Sequence, residues 1–249
     1  MANSAMVKDL TVIYLTANRM PKRWVDYHLG HLLTAIGDYP LITVSMKPMD
    51  LGVGETKLIQ TSEWGSWNTF CEWNRAAKVA ETEFVAIAED DTLYHPDHFS
   101  KFRPKPDEVA YHMGRWTVMS WHAEPTFSLI RSLGGFAQIC PRKLMIEALD
   151  EREEKYPNGF RRPGEIGRED SERRMGVSHH KHVEWWSHFG MVNLAHTCAL
   201  SSTFMEHPTW RRKQGELKAI EIPYWGRAAD IADVFNRGIM DMEQECYET

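Results

Sequence analysis

Short apolar runs alternate with stretches of helical spacing along the first hundred residues. The apolar runs at residues 10–15, 41–45 and 84–88 predict strands buried on both faces, as in a parallel sheet covered by helices. Residues 24–36 and 70–80 carry apolar side chains at helical spacing and predict two helices. The order strand, helix, strand, loop, helix, strand predicts a parallel α/β unit with right-handed connections.

The second half of the chain is less regular. Its apolar segments predict four more strands and two helices, the first of them beginning at a proline. The strands are predicted over residues 109–113, 116–121, 135–140 and 191–196, the helices over 141–149 and 228–242, and long loops over 48–67 and 156–167. No repeat or interdomain linker interrupts this order, which favours one domain.

The composition is that of an ordinary globular protein, with 43% hydrophobic and 26% charged residues in 249. No apolar run approaches the length of a membrane span, so we expect a cytoplasmic protein without a membrane span. The four cysteines lie far apart and form no Cys-x-x-Cys pair, which signals neither zinc nor redox chemistry.

The charge pattern bears on possible partners. A net charge of −6 provides no overall attraction to nucleic acid. Basic residues nevertheless cluster within 155–182 and at 211–213. These clusters are either solvated loop surface or contacts for the phosphates of a nucleotide or a polynucleotide.

Three consecutive carboxylates, Glu89, Asp90 and Asp91, follow the third apolar run. The carboxyl ends of strands in open α/β sheets are where ligands bind. Acids crowded at such a point repel one another unless a cation neutralises them, and hard oxygen ligands select Mg²⁺ or Mn²⁺. The pattern therefore predicts a metal–diphosphate site. A turn capped by aspartates before Pro96 is the alternative.

The chain resembles the nucleotide-sugar glycosyltransferases of the GT-A fold, and more closely the family-2-like enzymes of phages and bacteria. The resemblance lies in residues 16–19, 74–77 and 82–91, and more loosely in 134–136, 169–170 and His196. It implies one GT-A domain over residues 1–249, with a mostly parallel, Rossmann-like central sheet and helices on both faces. Residues 1–100 would bind the nucleotide sugar, and residues 101–249 would bind the acceptor and end in a helix.

The resemblance also implies a set of metal ligands. In that family an Asp-x-Asp motif holds a divalent ion, Mn²⁺ or Mg²⁺, on the donor diphosphate. Glu89 and Asp91 take the first and last positions of the motif, and Asp90, between them, is assigned to the nucleotide sugar. A late histidine often completes the metal site; here it is His196, with His207 as the competitor. A buried core histidine is the alternative role for His196.

Four further residues are implied to bind the donor, Thr16, Asn18, Arg19 and Asn74. For Arg19, an ion pair with a surface acid is the alternative. UDP is the expected nucleotide. The family's acidic segment after the second strand is replaced by residues 45–48, with Asp50 further along, so the contact with the nucleobase stays open.

The resemblance implies an inverting, hexosyltransferase-type reaction in which a carboxylate removes the proton of the acceptor hydroxyl. Asp170, in a Glu-Asp pair with Glu169, is the predicted base, and Glu165 is the reserve. Capping of a helix is the alternative role for Asp170. If neither acid is the base, a retaining mechanism is favoured.

Two acceptors fit this prediction, a hydroxymethylated base in phage DNA and a surface glycan. Two other functions are weighed against it. A nucleotidyltransferase also uses paired acids and Mg²⁺, but the loop after the first strand lacks the glycines that cradle phosphates. A non-catalytic carbohydrate-binding protein would use the ten tryptophans but leaves the acids unexplained.

Overall fold

A computed structural model describes residues 8–61, 66–131, 133–157, 181–196 and 217–247. A central sheet of seven strands has the order β10-β6-β9-β4-β1-β2-β3, and every strand except β9 runs in the same direction. The predicted α/β fold with a mostly parallel sheet is confirmed. The strands are β1 (Leu10–Thr16), β2 (Leu41–Ser45), β3 (Thr56–Ile59), β4 (Phe84–Glu89), β6 (Glu108–His112), β9 (Gln138–Pro141) and β10 (Lys181–Trp185).

A second sheet packs beside the first in the order β12-β8-β7-β11-β5. Its strands are β5 (Thr92–Leu93), β7 (Arg115–Met119), β8 (Phe127–Leu129), β11 (Met191–Ala195) and β12 (Lys218–Ala219), and a hairpin of β13 (Glu221–Ile222) and β14 (Gly226–Arg227) follows. Strand β4 ends at Glu89 and β5 begins at Thr92, with Asp90 and Asp91 between them. We call Glu89–Asp91 the acid turn, and this turn joins the two sheets.

Helices cover both faces of the central sheet, as predicted. The helices are α1 (Lys22–Ile36), α2 (Ser66–Val79), α3 (Pro96–Ser100), α4 (Arg142–Lys155) and α5 (Ala228–Tyr247). Helices α2 and α4 share one core with β1 residues Ile13 and Leu15, and α1 packs against Val12 and Tyr14 on the other face. Strand β1 is therefore buried on both sides, which explains its unbroken apolar run.

Two segments expected to be loops form edge strands. Strand β3 lies within the predicted loop 48–67, and β10 begins inside the basic segment 155–182, for which solvated loop surface was one interpretation. Both have largely exposed side chains, so neither shows the apolar pattern of a buried strand. Pairing with β2 and β6 respectively holds them in the sheet.

The region from β6 to α4 also differs from the prediction. The two predicted strands on either side of Gly114 are present but belong to different sheets. Residues Gly135–Ala137 form a 3₁₀ turn, so β9 starts only at Gln138. Helix α4 follows Pro141 as expected but continues to Lys155.

Among the described helices, none is both long and apolar enough to cross a bilayer.

Candidate active site at the carboxyl edge of the sheet

The first pair of site residues joins β1 to the acid turn. Leu15 pairs with Glu89 in the parallel register of β1 and β4, which places Thr16 next to Asp90. The Thr16 hydroxyl donates a hydrogen bond of 2.5 Å to Asp90 Oδ2. The same Thr16 oxygen accepts the N–H of Asn18 at 3.0 Å. Two of the predicted donor-binding residues, Thr16 and Asp90, are therefore in direct contact.

Asp90 is held in an electrostatically unfavourable position. Burial and, next, the charge of Asp91 raise the pKa of Asp90 to about 6, against the smaller opposing effect of the hydrogen bond from Thr16. Asp90 nevertheless keeps partial exposure to solvent. A cation near these carboxylates would relieve the repulsion between them.

The second pair brings the two sheets together. Asp91 Oδ2 lies 3.8 Å from Nε2 of His196, which follows β11 and is 7% exposed. The carbonyl of Asp91 accepts the N–H of Leu194 in β11 at 2.7 Å. This hydrogen bond holds the backbone of Asp91 next to the strand that leads to His196. Asp91 Oδ1 accepts a hydrogen bond from the Thr92 hydroxyl at 2.9 Å. The structure thus places His196 beside Asp91, and its role as a metal ligand stays a prediction.

Helix α1 holds the backbone of the acid turn through two buried side chains. Trp24 Nε1 donates to the carbonyl of Asp90 at 2.7 Å. His28 Nε2 lies 3.0 Å from the carbonyls of both Glu89 and Thr92. Because both partners are carbonyl oxygens, Nε2 carries the proton. We call Trp24 and His28 the α1 clamp.

Burial lowers the pKa of His28 to about 4, so the imidazole is neutral near pH 7. The clamp was not foreseen from the sequence, which marked these positions only as the apolar face of a helix. The available signal was a histidine four residues after a tryptophan. Residues at this spacing lie next to each other on one side of a helix.

Tyr94 completes the support of the turn. Its buried hydroxyl accepts the N–H of Glu89 at 3.0 Å and donates to the carbonyl of Phe136 at 3.1 Å. With the clamp and Leu194, every carbonyl from Glu89 to Thr92 accepts a hydrogen bond. The acid turn is therefore a rigid platform, as a preorganised charged site requires.

Glu89 and Asp90 lie on opposite faces of the sheet. In β4, Val85 and Ile87 pack against the α2–α4 core, and strand alternation puts Glu89 on that face and Asp90 on the opposite one. In the described parts of the chain, no three His, Cys, Asp or Glu side chains form a group that could hold a metal ion. The metal role of Glu89 stays a prediction.

Asn18 connects the loop after β1 to the loop after β2. Its φ of +53° is in the left-handed region, which asparagine tolerates better than most residues. Its side-chain carbonyl accepts the N–H of Lys47 at 2.8 Å. Asp50 pairs with Lys57 at 2.7 Å and is exposed.

Arg19 and Asn74 have different surroundings. The Arg19 side chain is exposed and has no ion pair within the described residues, so the surface ion pair considered for it is not formed there. Asn74 is buried in α2, and its amide donates to Asp150 and Glu153 of α4, both at 2.8 Å. The structure therefore gives Asn74 a contact between helices, and its predicted contact with the nucleotide stays a prediction.

Several predicted residues lie outside the described residues. They are the predicted base Asp170, its neighbour Glu169, the reserve Glu165, the alternative ligand His207 and the basic residues 161–174 and 211–213. Their roles stay predictions.

No protein-family model matches the sequence, and no curated protein matches it. Solved structures do match, and three of them are described here. The mannosyltransferase PcManGT from Pyrobaculum calidifontis, in complex with GDP-Man and Mn²⁺, is 17% identical, with a TM-score of 0.45 over 75% of this chain and 56% of that one. S. aureus TarS in complex with UDP-GlcNAc is 13% identical, with a TM-score of 0.43 over 76% and 59%.

The third is a glycosyltransferase involved in glycosylation of the major capsid of PBCV-1, 13% identical, with a TM-score of 0.43 over 77% of this chain and 94% of that one. The chain spans less than two thirds of the length of the first two proteins. Identities and TM-scores of this size assign neither a substrate nor a residue role, so the function is inferred from the site residues.

Proposed function

We propose that this protein is a metal-dependent glycosyltransferase that moves a sugar from a nucleotide diphosphate to an acceptor hydroxyl. The observation that carries the proposal is the acid turn at the carboxyl end of β4. There Asp90 contacts Thr16 of the first strand, and Asp91 faces His196 of the second sheet. A turn capped by aspartate requires one aspartate with partners nearby in the sequence. Asp90 and Asp91 are instead held by β1, α1 and β11.

The side chains fit a divalent cation by their chemistry. Burial and, next, the charge of Asp91 raise the pKa of Asp90, and a bound cation would offset both effects. Oxygen ligands suit Mn²⁺ or Mg²⁺. Asp91 and His196 would hold the ion with Asp90 beside them, and Glu89 is the further proposed ligand. When bound, such an ion stabilises the negative charge that develops on a diphosphate leaving group.

The chain's own residues would orient the donor. The Thr16 hydroxyl fixes the carboxylate of Asp90, and the α1 clamp fixes the turn that carries it. Arg19 is exposed one residue beyond Asn18, where its guanidinium would bind a phosphate. We propose UDP as the nucleotide, with the loop that Asn18 joins to Lys47 contacting it.

Transfer also requires loss of the acceptor proton. We propose Asp170 as the base of an inverting reaction, with Glu169 beside it and Glu165 as the reserve. The acceptor is either a hydroxymethylated base in phage DNA or a surface glycan. For DNA, the basic segments at residues 161–181 and 211–213 would bind phosphates. Assays of sugar transfer to hydroxymethylated DNA and to a glycan distinguish the two acceptors. A cytoplasmic location is part of the proposal.

A thermal-shift experiment tests the proposal. A ligand that binds only the folded protein raises its melting temperature. We expect one nucleotide sugar to raise the melting temperature in Mn²⁺ and not in its absence. Asp91→Asn should abolish this shift and still fold. Asp107→Asn is the matched control, because Asp107 is an exposed acid paired with Lys181 at the amino end of β6, away from the acid turn, and it should keep the shift. An unchanged shift in Asp91→Asn would overturn the metal assignment.

A further inference from the structure

Gln138 is the first residue of β9, at the carboxyl edge of the sheet, and its side chain is fully buried. Among the described residues, neither its Oε1 nor its Nε2 has a hydrogen-bond partner. A buried amide left unsatisfied costs about 1–3 kcal/mol. Such groups are rare in folded proteins and require an explanation, and a ligand that supplies the missing bonds is one.

Trp73 of α2 is a second group of this kind. Its Nε1 is buried and has no hydrogen-bond partner in the described part of the chain, and the residue is 3% exposed. Its ring lies against Gly135, where a Cβ atom would come within 2.2 Å of Trp73 Cη2, so only glycine allows this approach. Gln138 N–H donates to the carbonyl of Gly135. The turn before β9 therefore contacts the ring of Trp73 and the backbone of Gln138.

Gln138 and Trp73 lie on the same face of the sheet. Along β9, Ile139 packs into the α1 core and Cys140 into the α2–α4 core. Strand alternation then puts Gln138 on the α2–α4 face, where Trp73 also packs. On β6, Gln138 pairs with Tyr111 of the same core. The core on this face of the sheet is formed mainly by apolar side chains, which offer few hydrogen-bond partners to an amide.

This pair is close to the acid turn. Val85 of β4 faces Cys140, so continuing the antiparallel register brings Ile87 level with Gln138. Glu89 is two residues further on the same face, roughly 7 Å along the strand. The side of the acid turn toward β1 and β2 is occupied by the loops that Asn18 connects. A group attached to a diphosphate at the acid turn would therefore extend past Glu89 toward β9.

We propose that Gln138 and Trp73 bind hydroxyl groups of the transferred sugar. A primary amide both donates and accepts hydrogen bonds, and an indole N–H donates one. Together they match neighbouring hydroxyls on a sugar ring, and they would stay unsatisfied against an apolar ligand. The inference rests on the proposed function and names two residues that select the sugar part of the donor.

The test compares Gln138→Met with the wild-type protein, because methionine nearly matches glutamine in shape and has no amide. Without ligand, the melting temperature should rise, since the variant removes an unsatisfied buried group. In Mn²⁺, titration calorimetry with UDP-glucose, UDP-GlcNAc and GDP-mannose should show about a tenfold loss of affinity for the preferred donor. Affinity for UDP or GDP alone should not change.

Thr11→Val is the matched control, because the Thr11 hydroxyl bonds to Thr82 at the opposite edge of the sheet. It should leave both affinities unchanged. Unchanged donor affinity in Gln138→Met, or a lower melting temperature without ligand, would overturn the inference. A higher KM for the acceptor with unchanged donor affinity would overturn it too, by assigning the pair to the acceptor. If the wild-type protein binds none of these nucleotides or nucleotide sugars, the proposed function itself fails.

Discussion

At the scale of single residues, the Thr16 hydroxyl has the most direct link to the charge of the site. It donates at 2.5 Å to Asp90 and lowers the pKa of that acid against burial and the charge of Asp91. Valine keeps the β-branched shape that suits a strand but cannot donate. Thr16→Val therefore changes the electrostatics of the site with little change in packing.

We predict that Thr16→Val weakens binding of the nucleotide sugar in Mn²⁺ by about ten- to a hundredfold, because a hydrogen bond to a charged group contributes about 1.5–3 kcal/mol. Titration calorimetry measures the affinity. Thr43→Val is the control: this buried threonine lies in β2, and its hydroxyl makes only a long bond of 3.4 Å to the Thr56 carbonyl. Equal affinities in the wild-type and Thr16→Val proteins would contradict the role of Thr16.

A second prediction separates binding from transfer. If Asp170 is the base, Asp170→Asn should bind the donor as the wild-type protein does and lose transfer by about 10²–10⁴-fold. Donor binding is measured by thermal shift and transfer by release of the nucleotide diphosphate in the presence of acceptor. Equal loss of binding and transfer would make Asp170 a binding or structural residue.

At the scale of elements, the site depends on how α1 lies against the end of β4. The helical spacing of residues 24–36 predicted α1, and the apolar run at residues 84–88 predicted β4. The three acids were correctly placed at the end of that strand. The α1 clamp could not be predicted, because periodicity shows which face of a helix is buried but not which atoms that face meets. The opposite orientation of Glu89 and Asp90 could have been predicted, since side chains alternate along a strand. Strands β3 and β10 escaped detection because exposed edge strands lack an apolar pattern.

We predict that Trp24→Phe weakens Mn²⁺-dependent donor binding, because phenylalanine keeps the aromatic packing but leaves the Asp90 carbonyl without its partner at 2.7 Å. The free energy of unfolding should fall by about 1–3 kcal/mol. Tyr27→Phe, on the same helix but half-buried, is the control for aromatic change in α1 and should leave donor affinity unchanged. If Trp24→Phe lowered stability alone, the clamp would have no role in binding.

At the scale of the whole molecule, the core includes polar groups that burial keeps neutral. His98 of α3 and His112 of β6 are each 1% exposed, with ring centroids 5.6 Å apart. Burial lowers the pKa of His112 to about 4, and it lowers the pKa of His98 well below the usual value. Neighbouring charges act in the same direction, with His112 and Arg103 near His98 and Arg115 near His112. Both rings pack against Trp185 of β10, so they join the edge of the sheet to its core.

These two histidines should make the fold sensitive to acid. Between the folded pKa of about 4 and the unfolded value near 6.5, the unfolded state binds more protons, so the free energy of unfolding rises with pH across that window. The two histidines cost no stability above about pH 6.5, and the free energy of unfolding falls as the pH drops below that value. Urea denaturation at pH 5, 6 and 7 should show a smaller slope with pH in His112→Gln than in the wild-type protein. His188→Gln, an exposed site, should keep the wild-type slope. An unchanged slope in His112→Gln would show that folding does not lower the pKa of His112.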